Sequence, residues 1–234
     1  MKTLILATLI LHISAGSIAL IVGLIPMFSK KGSSLHNRTG LVYVYCMITV
    51  AITALLLCAL QPLQMLRLFL TGIAVFSFYL CMTGWRATKQ KKTGPATSDR
   101  ILTYVTLATS IAMISFGVYL ISQSTNAFFP ILFTFFGALT GMFAWKDYSL
   151  ISKPTEKMHW FFQHVTRMGG SYIATFTAAL VNNVARILPA DAPDWAYTIS
   201  WIAPAIIGGV IIRQTVRYYK QKFNATKVVK AALA

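Results

Sequence analysis

The sequence predicts an all-α polytopic membrane protein: a seven-transmembrane-helix bundle with its N-terminus outside and its C-terminus cytoplasmic. Three observations carry that expectation. Hydrophobic residues make up 56% of the 234 and charged residues 11%, where soluble domains are about a quarter charged, and mean hydropathy is +0.66. Seven apolar segments can each cross a bilayer core, which takes about 20 residues at a rise of about 1.5 Å. The basic residues, finally, fall in alternate loops.

The segments follow in order. The first, 3–28, has one basic residue, Lys2, ahead of it and runs too far for a cleaved signal peptide, so it reads as a retained span. Ser29-Lys30-Lys31-Gly32 ends it, and a loop to Gly40 carries His36 to the mouth of the second span, 41–60. Gln61-Pro62 turns the chain into the third, 64–85. A polar loop from Lys89 to Arg100, with Gly94-Pro95, leads to the fourth, 101–121, and a short turn from Ser122 to Asn126 to the fifth, 127–145. The sixth run, 158–187, is about 45 Å long as a helix, so its first turns project beyond the bilayer core. Pro189 to Asp194 precede the last span, 195–217, where Pro204 and Gly208-Gly209 predict a kink or a close helix contact. The chain divides into one transmembrane domain, 1–220, and a basic tail, 221–234.

Charge then orients the bundle. Lys30, Lys31 and Arg38; Arg86, Lys89, Lys91, Lys92 and Arg100; Lys146, Lys153 and Lys157; and Arg213, Arg217, Lys220, Lys222, Lys227 and Lys230 all belong to one side, 17 of the 21 Lys and Arg. The other side holds Lys2, Arg67 and Arg186, with Asp191 and Asp194 in its longest loop and Trp195 and Trp201 at its interface. The positive-inside rule makes the first side cytoplasmic. The formal net charge of +16 therefore reports topology and attraction to anionic lipid headgroups, at about 1 kcal/mol per basic residue near the surface. It does not report a nucleic-acid partner.

Chemistry is narrowed by what is scarce. There is no GxSxG, P-loop, GxGxxG or CxxC pattern, and Cys46, Cys58 and Cys81 sit in apolar runs as small hydrophobes. Five acids and four histidines remain, and ionisable groups inside spans are functional candidates. His12, either a buried ring satisfied by a neighbouring polar group or a cofactor ligand or proton-relay member, heads a stripe of small residues, Gly16, Ala19 and Gly23, along which another helix packs closely. In the sixth run His164, Met168, Ser171, Thr175, Ala178 and Asn182 form one face that points into the bundle. His159 is about 140° around that helix from His164 and reads as interfacial.

His36, His164 and Asp147 converge on the basic side by topology, and imidazole with carboxylate suits a transition metal such as zinc or iron. Asp147 paired with Lys146 or Arg167 is the plain alternative. A metal-bound water attacking a lipid ester or amide is the chemistry such a site offers, although the only glutamate, Glu156, lies in a loop. The cofactor could instead be haem b, held by His36 with His164 or His159 in an electron-transfer protein. A depth offset of about 15 Å argues against His12 with His164 as a haem pair and sets His12 on a polar track above the site. A transporter or assembly subunit without catalysis is the third reading.

The spaced residues also resemble a family. His12-x3-Gly16-x2-Ala19-Leu20-x2-Gly23, then Lys31-Gly32-x3-His36-x3-Gly40, is similar to the opening of the bacterial membrane proteins catalogued as domain of unknown function 2306. Asp147, His164-x2-Arg167-Met168-x2-Ser171-Tyr172-Ile173-Ala174-x2-Thr177-Ala178, and Trp201-x2-Pro204 with Arg213 and Arg217 resemble its later signatures, with Ala179 where the family often has Phe. The resemblance implies a multi-pass protein of the bacterial inner membrane in which His12, His36, Asp147 and His164 fill the family's polar positions. It implies no particular activity.

Overall fold

The computed structural model describes residues 1–91, 93–123, 126–151, 158–189 and 191–232, with side chains as far as Asn224. Lys92, Lys153, Glu156 and Lys157, and the side chains of Lys227 and Lys230, lie outside the described residues. Within them the protein is helical throughout: α1 (Lys2–Val22), α2 (Leu24–Phe28), α3 (Ser34–Leu60), α4 (Met65–Ala87), α5 (Thr97–Gln123), α6 (Phe128–Leu150), α7 (His159–Ile187) and α8 (Asp194–Ala232). Taking α1 and α2 as one run, Lys2–Phe28, six helices are long and apolar enough to cross a membrane. The exception is α7, whose apolar residues are interrupted by Gln163, His164, Arg167, Ser171, Thr175, Asn182 and Asn183.

Two boundaries differ from the sequence reading. The chain after Gly32 is not a loop as far as Gly40: Ser33 caps α3, its Oγ accepting from the His36 backbone N–H at 3.2 Å. A serine cap fixes a helix start wherever its hydroxyl meets an orphan N–H, whatever the polarity of the next residues. His36 therefore sits in the first turn of α3. At the other end, α8 runs without a break through Pro204 and past residue 220, so its helix continues into the segment read as a tail.

Packing closes the helices into a ring in the order α1, α3, α4, α5, α6, α8, α7, with α7 against α1 and α4 reaching across to α6 and α7. The deepest apolar cluster gathers Phe69, Phe76 and Leu80 of α4, Leu132, Phe133 and Phe136 of α6, and Met113 and Leu120 of α5. The stripe on α1 does the work its small residues allow. Ala19 is fully buried, and a Cβ on Gly23 would lie 2.7 Å from the Tyr172 ring of α7. Gly208 likewise seats Ile173 where α7 meets α8. Leu4, Leu6, Ile10, Ile13 and Ile21 of α1 lie exposed on the outside, the surface expected of a bundle dissolved in lipid.

Side-chain contacts bring the ends of α2, α4 and α6, and α8 at Tyr219, together with the starts of α3, α5 and α7. His36 reaches Pro26, His164 reaches Gly84, Arg86 pairs with Asp99, Arg167 pairs with Asp147, and Phe161 packs on Tyr219 with ring centres 5.2 Å apart. Successive long helices thus alternate in direction, and the described residues of the basic loops share one end of the bundle.

Candidate functional site

At that end two imidazoles from distant parts of the chain lie side by side. The rings of His36 (α3) and His164 (α7) have centres 6.1 Å apart and planes at 65°. Each is anchored through the same atom: His36 Nδ1 is 3.0 Å from the Pro26 carbonyl oxygen and His164 Nδ1 is 2.9 Å from that of Gly84. A carbonyl only accepts, so Nδ1 carries the proton in both neutral rings and the lone pair sits on Nε2. Metal-ligating histidines are held in this way, with the non-ligating nitrogen donating to a carbonyl that fixes tautomer and orientation.

Helix ends explain why these carbonyls are available. Pro26 O belongs to the last turn of α2 and Gly84 O to the last turn of α4, where carbonyls lack intrahelical partners. Lys31 Nζ donates to Pro26 O at 2.7 Å and Met27 O at 2.8 Å, completing the cap of α2. Desolvation there draws its pKa below the ordinary lysine value.

Asp147 does not join this pair. Its Oδ1 accepts from Arg167 Nη2 at 2.6 Å, its Oδ2 accepts from the Tyr79 hydroxyl, and Gln163 Nε2 approaches Oδ1 at 3.4 Å. The three-ligand set His36, His164 and Asp147 is therefore not assembled: among the described residues no three His, Cys, Asp or Glu side chains converge as metal ligands. The physical reason is the buried arginine. Arg167 is 2% exposed, and a cation that deep draws in the nearest carboxylate. Its guanidinium also covers the Phe143 ring at 4.4 Å and donates to Phe143 O, while Nη1 has no hydrogen-bond partner among the described residues.

Further from the basic end, α7 contributes a second polar layer. Tyr43 Oη shares hydrogen bonds with Ser171 Oγ at 2.8 Å and Thr175 Oγ1 at 3.1 Å, all three residues being buried. Replacing Tyr43 by Phe removes both bonds without opening a cavity, and should lower stability by about 1 kcal/mol. The midpoint of unfolding in mixed micelles reads this, and an unchanged midpoint means the hydroxyl contributes nothing. The inward face stops there. Ala178 and Asn182 are exposed, and Asn182 Nδ2 donates to its own helix at Ala178 O, so the continuous track expected up to Asn182 is interrupted.

His12 belongs to neither group. Its Nδ1 lies 2.9 Å from Thr53 Oγ1 of α3, a neighbouring hydroxyl that satisfies a half-buried ring. Pro26, which anchors His36, is farther along the same helical run by about 20 Å of rise, so His12 shares no cofactor with the pair. His159 opens α7 and lines a cavity that neither His36 nor His164 lines.

Comparison with family models, with curated proteins and with solved structures finds no match. The site therefore stands on its own residues. Those that sequence reasoning missed are Ser33, Pro26 and Gly84, which orient the imidazoles, and Tyr43 and Tyr79, which bond the polar groups of α6 and α7. Serine in Gly-Ser-Ser ahead of a helix was the one legible signal; a backbone carbonyl as partner leaves none.

Proposed function

We propose that this is a seven-span protein of the bacterial inner membrane, N-terminus outside, that binds a transition-metal ion through Nε2 of His36 and His164 at its cytoplasmic end. The seventh span is α7. Its 29 residues are enough to cross, it runs opposite to α6 and α8, and its polar residues near the basic end face α3, α4 and α6 rather than lipid. The alternation of helices and the basic loops at one end support this orientation.

The observation that carries metal binding is the pair of Nδ1-anchored imidazoles 6.1 Å apart. With metal–nitrogen bonds of about 2 Å, ring centres lie about 5 Å apart at a tetrahedral angle and about 6 Å apart across an ion. Two protein ligands leave coordination positions for water or an exogenous ligand. Hydrolysis of a lipid ester or amide would need a base as well, and Asp147, paired with Arg167 and Tyr79, does not supply it. Binding is thus the function proposed. The same 6.1 Å spacing favours one second reading, a b-haem iron between the two rings.

Metal analysis and absorption spectra of the purified protein test both. Loading with cobalt(II) or zinc should give about one ion per chain, and His164→Ala or His36→Ala should each weaken binding at least about tenfold. A Soret band lost in the same variants identifies haem. Full occupancy in His164→Ala, or no ion and no Soret band in the parent protein, overturns the assignment.

A further inference from the structure

Apart from the histidine pair, neither ring of which lines it, the basic end of the bundle holds a cavity of about 490 Å³ between the ends of α4 and α6 and the starts of α5 and α7. That volume falls within the range of about 300–1,000 Å³ typical of small-molecule sites. Two carboxylates reach its wall, and both are already paired. Asp99 is held by Arg86, by Gln90 and by the Ala96 N–H at 2.8 Å, and Asp147 by Arg167 and Tyr79.

The hydroxyls in the wall are also oriented. Thr83 donates to Tyr79 O at 2.7 Å and Thr103 donates to Asp99 O at 2.8 Å, so their protons point away from the cavity. What remains at the mouth is cationic. Lys91 and Arg100 are exposed, and among the described residues neither takes an acidic partner. Lys91 Nζ lies 4.3 Å above the Trp160 ring, which holds one charge at the rim. Leu150 and Met158 supply apolar wall.

We propose that this cavity binds a phosphate ester, its phosphate at Lys91 and Arg100 and its organic group against Trp160, Leu150 and Met158. A bare phosphate would leave most of the volume unfilled, and a cation would meet Lys91 and Arg100 with no available carboxylate among the described residues behind them. The helix ends that form the cavity put it level with lipid headgroups, so a glycerophospholipid headgroup and a soluble phosphate ester offer the same chemistry. The site is separate from the histidine pair and does not depend on metal binding there.

The full-length protein in phosphatidylcholine nanodiscs provides the test, read as the midpoint of thermal unfolding. One arm titrates glycerol 3-phosphate; the other replaces part of the lipid by phosphatidylglycerol. A rise with glycerol 3-phosphate identifies a soluble ligand, a rise only with phosphatidylglycerol identifies a lipid headgroup, and either supports the site. Lys91→Gln/Arg100→Gln should weaken the effect at least about tenfold in ligand concentration, equivalent to about 1.4 kcal/mol. Arg213→Gln/Arg217→Gln, which removes as much charge from exposed positions of α8, should leave the glycerol 3-phosphate effect unchanged and weaken the phosphatidylglycerol effect less than the cavity variant does. No rise in either arm, or equal weakening by both double variants, overturns the proposal.

Discussion

Asp147→Ala is expected to cost about 3 kcal/mol of stability, the lower end of the range for breaking a buried ion pair. The substitution removes the counter-ion of Arg167, whose side chain is 2% exposed, and the acceptor of the Tyr79 hydroxyl. The lower end applies because Asp147 is 12% exposed and borders the cavity, so water can replace part of what is lost. The companion variant decides the cause. Asp147→Ala/Arg167→Met removes both charges, and should recover much of the loss, since a buried pair replaced by apolar groups is often neutral. Unfolding midpoints in mixed micelles of the parent, Asp147→Ala, Arg167→Met and the double variant form the cycle. A single variant as stable as the parent would show that the pair contributes nothing.

Gly84→Val should be comparably harmful, by about 1–3 kcal/mol, and it should also disturb the histidine pair. A Cβ at residue 84 meets Arg167 Cβ and the Met168 backbone nitrogen, both at 2.9 Å. Backbone cannot rotate out of the way, so α4 and α7 must separate. The Gly84 carbonyl that orients His164 sits in that crossing, and metal affinity should fall together with the unfolding midpoint. Gly40→Ala is the informative contrast. Gly40 lies inside α3 with nothing within 4 Å of an added Cβ, so alanine there should be neutral or stabilise by about 0.5–1 kcal/mol.

The histidine positions show how far a sequence can be read. His164 was legible because it heads one polar and small-residue face of a long helical run, and His36 because topology placed it on the same side. Their adjacency was not legible in itself, since it depends on α3 starting at Ser34 instead of 41, which turns residue 36 from a loop position into one on a helical face. Asp147 shared the same side and the same end, yet it turned to Arg167. Side and depth are properties of one helix, while the choice between two available cations or ligands belongs to the rotation of three. For His12, the hydroxyl of Thr53 supports a satisfied ring over a ligand or proton relay.

By itself the sequence determined the helical class, six helices long and apolar enough to cross a membrane, and the grouping of the described residues of the basic loops at one end. Hydropathy and charge act over a single segment against its solvent, so no neighbour is needed to read them. Tertiary structure alone decided which polar groups meet: imidazole with imidazole, Arg167 with Asp147 and Tyr79, Tyr43 with Ser171 and Thr175. Those pairings are set where helices cross, at Gly84 above all, and a crossing is fixed by the packing of both partners together.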